Sequence, residues 1–241
     1  MRELEPVSKG KKIYVSEQHR FSTDTILLAD FSMPKKNERC ADFGTGCGLI
    51  PILWAIRSQM KKAYGIEIQK DACALLADSI RLCGFEEKLE VIEGDLRNLQ
   101  NDDIRELDLI SCNPPYKPLG SGIRSKTQED DLARHEVTLS ISDAAKAAAA
   151  RLRFGGRFCV CQRPERLCEV MEAFREHKIE PKRLRFVQQR SGKAPFLFLL
   201  EGKLGAKPFL TVEPVLLIEE NGIYSGEMMH IYGDYKNSPI L

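Results

Sequence analysis

The chain has 241 residues, enough for one large α/β domain with a well-buried core. Its hydrophobic (43%) and charged (29%) fractions are those of an ordinary soluble globular protein, and a formal net charge of +1 excludes any argument for nucleic acid from bulk charge. A nucleic-acid surface must therefore be a local patch. With no signal peptide and no apolar run of about 18 residues, a soluble, cytoplasmic chain without membrane contact is expected. The eight cysteines are scattered with no CxxC pair, and the four histidines do not join them at zinc-ligand spacing. Buried free thiols and no metal are expected.

The first stretch, to about residue 37, is polar and mixed. Within it Thr23 or Asp24 is placed to cap a short helix carrying Ile26, Leu27, Ala29 and Phe31. Strand and helix signals then alternate. Arg39 to Phe43 reads as a strand, Leu49 to about Met60 as a helix, Ala63 to Ile68 as a second strand. Asp71 to about Cys83 reads as a helix stopped by Gly84. Leu89 to Glu93 and Leu107 to Cys112 are further strands. Ala144 to about Leu152 is an alanine-rich helix ended by Gly155-Gly156, Arg157 to Gln162 a strand, and Pro164 opens the next helix. Arg183 to Gln189 and Phe196 to Glu201 are two more strands. This alternation predicts a Rossmann-like α/β fold, a mostly parallel sheet with helices on both faces. Lys117 to Glu136 is a long polar loop, and loops of that length are usually functional or disordered. The tail carries an apolar run, Val212 to Ile218, and a hairpin signal, Asn221-Gly222. A single domain over 1–241 is expected, with an N-terminal lid or substrate segment (1–37), a core (38–205) and a C-terminal strand and hairpin extension (206–241).

Two strand ends carry the chemistry. In doubly wound sheets a ligand sits beyond the carboxyl ends of the strands, at the switch point. There Asp42 precedes Gly44, Gly46 and Gly48, which let the backbone approach a ligand and turn into a helix. The pattern Gly-x-Gly-x-Gly departs from the dinucleotide Gly-x-Gly-x-x-Gly, which weakens a NAD reading. Glu67 ends the next strand, roughly 20 residues on, where an acid can accept from both ribose hydroxyls. Asp95, after the third strand, is placed to accept from an adenine amino group. Asp42 either binds a cofactor amine or holds the turn. Three acids at the ends of three successive strands make a nucleotide-like cofactor site.

The second strand end is Asn113-Pro114-Pro115-Tyr116. An exocyclic amine on a base or carboxamide is a poor nucleophile because its lone pair is delocalised. Catalysis needs acceptors for its N–H bonds that push the nitrogen toward tetrahedral geometry. Asn113 offers a side-chain oxygen, Pro114 a carbonyl, the two prolines stiffness, and Tyr116 a flat face for stacking. No base must act before attack, since the proton leaves after the methyl arrives. The pairing of glycine turn and tetrapeptide points to methyl transfer from S-adenosylmethionine to a planar amine.

These motifs resemble the class I S-adenosylmethionine-dependent methyltransferases of the amino-methylating branch. The resemblance implies a seven-stranded sheet with an antiparallel last strand over roughly residues 35 to 205. It also implies cofactor contacts from Asp42, Gly44, Gly46, Glu67 and Asp95, and Asn113 to Tyr116 as the catalytic tetrapeptide, with Asn113 also bordering the cofactor. Phe21-Ser22-Thr23-Asp24-Thr25-Ile26-Leu27-Leu28-Ala29, and Ala133-Arg134-His135-Glu136 after the long loop, resemble the tRNA1(Val) adenine N6-methyltransferases, which modify the adenine just 3′ of the anticodon. That likeness makes Thr23 and Asp24 candidate cofactor residues and tRNA the expected partner, with the protein acting as a monomer. Arg134 and His135 border the expected entrance. Small-ribosomal guanine methyltransferases share the arrangement, and release-factor glutamine methyltransferases share the tetrapeptide, so rRNA bases and a protein glutamine stand as alternatives. A third alternative is a binding module without activity. A basic-rich stretch (Lys178, Lys182, Arg183, Arg185, Arg190, Lys193), preceded by Arg151, Arg153, Arg157, Arg163 and Arg166, either tracks phosphates or is a solvated face.

Overall fold

The computed structural model describes residues 2–99, 104–114 and 139–233. Pro115, Tyr116, the loop from Lys117 to Glu136, Arg134 and His135 lie outside them.

The apolar runs of the middle of the chain pair side by side. β3 (Arg39–Phe43), β4 (Lys62–Glu67) and β5 (Leu89–Glu93) run parallel on one side, and β6 (Leu107–Cys112) and β7 (Leu152–Gln162) continue the parallel sheet from β3 on the other. The strand order therefore reverses between β3 and β6. β8 (Ile179–Gln188) and β9 (Leu197–Leu204) complete the sheet, with β9 inserted antiparallel between β7 and β8. These seven strands are the expected ones, and the last of them in sequence is the antiparallel one. The sheet has nine strands rather than seven, because β10 (Thr211–Val212) and β11 (Leu216–Leu217) lie successively along the outer edge of β8. Pro214 interrupts this tail. Pairing it there covers an edge that would otherwise present open backbone groups.

Helices cover both faces. α1 (Thr23–Phe31), α2 (Leu49–Arg57) and α3 (Lys70–Cys83) pack on one face around Trp54, which is fully buried and donates its indole N–H to Ala29 O at 3.2 Å. α4 (Ile141–Ala149) and α5 (Leu167–Glu176) cover the other, around Phe158, Phe174 and Phe198. Burying an aromatic of this size stabilises the fold by about 1.5–3 kcal/mol each. Gly48 shows how tightly α2 enters: its φ is 83°, and a Cβ there would fall 2.1 Å from Leu76 Cδ1 of α3.

Several expectations are corrected. α1 is capped by Ser22, not by Thr23 or Asp24. α2 ends at Arg57 because Ser58 is extended. α4 stops at Ala149, and Gly155-Gly156 is a bulge inside β7, where the partners jump from Leu107↔Leu152 to Leu109↔Arg157. A Cβ at Gly156 would meet Leu107 O at 2.8 Å, so the bulge requires glycine. β8 begins before Arg183, its pairing shifted at Pro181, which supplies no ladder donor. The polar N-terminal stretch contains a hairpin, β1 (Arg2–Ser8) with β2 (Lys11–Ser16), turned by Lys9 and Gly10 at φ 48° and 72°. It seats Ile13 and Val15 in the core against α3, where Tyr14 N–H donates to Ser79 Oγ at 2.9 Å. The Asn221-Gly222 signal does form a turn, between β12 (Glu219–Glu220) and β13 (Ile223–Tyr224). α6 (Gly226–Tyr232) follows it and packs on α1. Seven cysteines are buried free thiols, whereas Cys168 on α5 is exposed. Among the described residues no helix is long and apolar enough to cross a membrane, and no group of three or more His, Cys, Asp and Glu could hold a metal ion.

Candidate active site

The carboxyl ends of β3, β4, β5 and β6 meet at the switch point. The turn after β3 is tied to β4: Gly44 N–H and Thr45 N–H both donate to Ile66 O, at 2.9 and 3.1 Å. Glu67, buried at the end of β4, then closes it. Its Oε2 accepts Gly46 N–H at 2.9 Å, and its Oε1 accepts Ile68 N–H and Gln69 N–H at 2.9 and 3.0 Å. Gly44 and Gly46 have φ of 64° and 57°, and a Cβ on either would meet nothing within 4 Å. The open space at these two glycines leaves the backbone of the turn uncovered, which fits the close approach of an adenosyl cofactor. Gly48 differs, since it serves packing against Leu76.

Asp42 is almost completely buried one residue before Phe43, and Ser111 Oγ on β6 donates to its Oδ1 at 2.6 Å. Burial raises its pKa to about 7; the Ser111 and Thr45 hydroxyls offset part of that rise, and the neighbouring Glu67 carboxylate adds to it. Asp95 sits after Gly94, whose N–H donates to Glu67 O at 2.9 Å. The Asp95 carboxylate is clasped by Arg97, with Nε 2.9 Å and Nη2 2.6 Å from Oδ2, and this bonding holds its pKa below the usual carboxylate value.

Asn113 follows β6, its carboxamide between two distant elements. Nδ2 donates to Thr25 Oγ1 on α1 at 3.2 Å, and Cys161 Sγ on β7 lies 3.1 Å from Oδ1. Pro114 is buried beside it. The segment Thr23-Asp24-Thr25 thus reaches the site, though its members part company. Thr23 Oγ1 pairs with Tyr232 Oη of α6 at 3.1 Å, and Asp24 is buried in the first turn of α1. Thr25, Ser111 and Cys161 were not singled out from the sequence. Thr25 stood inside the segment that was; Ser111 and Cys161 carried only the alternation of a strand.

The basic stretch is mostly consumed internally. Arg157 joins Glu38 (2.6 Å) and Glu201 (3.5 Å); Arg183 donates to Phe31 O at 2.6 Å and lies over the Phe31 ring; Arg185 is bidentate to Glu227 at 2.6 and 2.7 Å. Arg190 and Lys193 are different. They are exposed, joined through a turn in which Lys193 N–H donates to Arg190 O at 3.2 Å. Because β9 is antiparallel to both β7 and β8, β8 runs with the parallel strands, and this turn stands at the same sheet edge as Asn113.

The sheet order and its helices are those of the class I S-adenosylmethionine-dependent methyltransferase fold. The TRM5/TYW2 methyltransferase domain family matches residues 11–114. Among solved structures, a predicted O-methyltransferase from Agrobacterium tumefaciens superposes with a TM-score of 0.69 at 20% identity, covering 89% of this chain and 96% of that one, a likeness of fold. More particularly, the chain is similar to proteins named tRNA1(Val) (adenine(37)-N6)-methyltransferase. It is 29% identical to the one from Parabacteroides distasonis over 189 residues (78% of each chain). It is also 29% identical to the one from Tolumonas auensis over 226 residues (90% of this chain, 89% of that one).

Proposed function

We propose that this protein methylates the N6 amine of an adenine in tRNA, adenosine 37 beside the anticodon of tRNA(Val), using S-adenosylmethionine. The observation that carries this reading is the Asn113–Thr25 hydrogen bond. It joins Asn113, the first residue of the tetrapeptide shared by amino-methylating enzymes, to the N-terminal segment that resembles the tRNA1(Val) group. The names of the relatives support the same substrate.

The cofactor supplies an electrophilic methyl on a sulfonium. Gly44 and Gly46 hold it by backbone, Glu67 and Asp95 bind ribose and adenine, and Asp42 steadies its amino end, with Thr23 and Asp24 near it on α1. Asn113 Oδ1 and the Pro114 carbonyl accept the two N–H bonds of the target amine, which turns its lone pair out of conjugation and along the line of attack. Pro115 stiffens the turn and Tyr116 stacks on the base, swung out of its helix. As the methyl passed to nitrogen the C–S pair would return to sulfur, leaving a neutral thioether, and the methylated nitrogen would then release its proton to solvent. The protein acts as a monomer without metal, segment 1–37 serving as the lid over core 38–205. Arg190 and Lys193 contact RNA phosphates. Replacing both by Ala should raise the KM for tRNA about 3- to 10-fold and lower the salt slope of binding by about 2, with cofactor affinity unchanged.

The test is methyl transfer from labelled S-adenosylmethionine to unmodified tRNA and to a release factor in parallel, with nucleosides identified by mass spectrometry. N6-methyladenosine confined to tRNA supports the reading. Label on a protein glutamine overturns it, and label on neither, with cofactor bound, directs the search to ribosomal RNA.

A further inference from the structure

We infer that Arg97 is a positioning residue for cofactor specificity: it fixes the Asp95 carboxylate as a rigid acceptor that reads the 6-amino group of the adenine. The inference rests on the proposed contact between Asp95 and the cofactor's adenine. An amino group at that purine position offers N–H donors, whereas a 6-oxo purine offers an acceptor there. An ionised carboxylate has acceptors alone. Held still, it binds the first and repels the second. Free to swivel, it turns from that oxygen to water or to the neighbouring N1–H, and most of the discrimination is lost. A site that selects the amine therefore needs its carboxylate held in one direction.

Asp95 stands where a turn leaves β5. Gly94 N–H donates to Glu67 O at 2.9 Å, Asn98 N–H donates to Asp95 O at 3.0 Å, and Leu96 is buried in the core. These contacts fix the backbone of the turn but leave the Asp95 side chain its own torsions. Arg97 removes that freedom. Its backbone N–H donates to Oδ1 at 2.9 Å, its Nε lies 3.0 and 2.9 Å from Oδ1 and Oδ2, and its Nη2 donates to Oδ2 at 2.6 Å. The polarity is unambiguous, because guanidinium and amide N–H groups only donate. Both oxygens are gripped by one planar fork. The same bonding holds the Asp95 pKa below the usual carboxylate value, so the group stays an acceptor across the neutral range. Arg97 brings three N–H donors to a group with about four acceptor sites, which leaves capacity for the N–H of a ligand. The two side chains are 36% and 24% exposed, so their pairing adds little to stability. What it sets is direction.

The experiment is calorimetric titration with S-adenosylhomocysteine and with S-inosylhomocysteine, its 6-oxo counterpart, for the native protein, Arg97→Ala, Asp95→Ala and the double variant. The native protein should prefer the adenosyl compound by about 30-fold or more. Arg97→Ala should weaken binding of the adenosyl compound about 5- to 20-fold and of the inosyl compound by less than about 2-fold, so the preference narrows. Beside Asp95→Ala, loss of Arg97 should change either affinity by less than about 2-fold, a result that general damage to the turn would not give. The inference is overturned if Arg97→Ala leaves the adenosyl affinity unchanged, raises it, weakens both compounds alike, or costs as much beside Asp95→Ala as beside the native Asp95. Should the alanine variant fail to fold in a thermal scan, Arg97→Gln takes its place under the same criteria. If Asp95→Ala keeps the full preference for the adenosyl compound, or the native protein binds neither, the adenine contact of Asp95 falls first and this inference with it. That outcome is distinct from a preference lost in Asp95→Ala and kept in Arg97→Ala, which sinks the role of Arg97 alone.

Discussion

The two halves of the site are built in different ways. The glycine turn is held by backbone donors that lie close in sequence: Glu67 reaches back 21 residues to Gly46 and forward to its own neighbours, Ile68 and Gln69. One β–α–β unit suffices to make it. Asn113 instead depends on Thr25, 88 residues before it, and Cys161, 48 after. A turn held locally depends on few elements, whereas a side chain aimed by distant elements depends on all of them. Cofactor binding and turnover should therefore separate under mutation.

The largest separation is expected for Asn113→Ala. Turnover should fall about 10²- to 10³-fold, the range for loss of one preorganised catalytic contact, while the dissociation constant for S-adenosylmethionine measured by calorimetry stays within about 2-fold. Equal loss of affinity would place Asn113 in the cofactor half. Glu67→Ala should do the reverse. It removes the partner of three backbone N–H groups together with the ribose acceptor, so cofactor affinity should drop about 10- to 100-fold. Unchanged affinity would move the ribose contact elsewhere. Gly48→Ala probes the same half through packing: with a left-handed φ and Leu76 in the way, urea unfolding should report a loss of about 1–3 kcal/mol.

A further effect is one of pH. Asp42 has its folded pKa raised to about 7 by burial, above its unfolded value. Between about pH 4 and 7 the unfolded state releases the proton first, so this group makes stability fall as pH rises through that window and then level off. Asp42→Asn should flatten that part of the unfolding profile. A slope that persists unchanged would assign it to other groups. If the cofactor amine sits against Asp42, binding near pH 6 should release a fraction of a proton, visible as a dependence of the binding heat on the buffer.

Legibility in the sequence followed the same division. β3, β5 and β6 lie where the apolar runs placed them, because each run is continuous and ends in a turn signal. The acids at the strand ends were readable because topology alone puts them at one edge. What was not readable depended on partners far away. The β1–β2 hairpin turns only Ile13 and Val15 inward from β2, and its face is defined by α3. α6 is short, and its apolar side is defined by α1 and β11. Gly155 and Gly156 look like any helix stop until the bulge against Leu107 is seen. In the site, the Arg97 clasp on Asp95 and the pairing of Thr23 with Tyr232 are contacts that no spacing in the sequence announces.

The Thr23–Tyr232 contact also bears on how the enzyme is made. Tyr232 leaves the ribosome 209 residues after Thr23, so the helix that carries Thr25 waits for that synthesis before Tyr232 can pin it. A chain that stops short of Tyr232 lacks the contact that pins α1 beside Asn113.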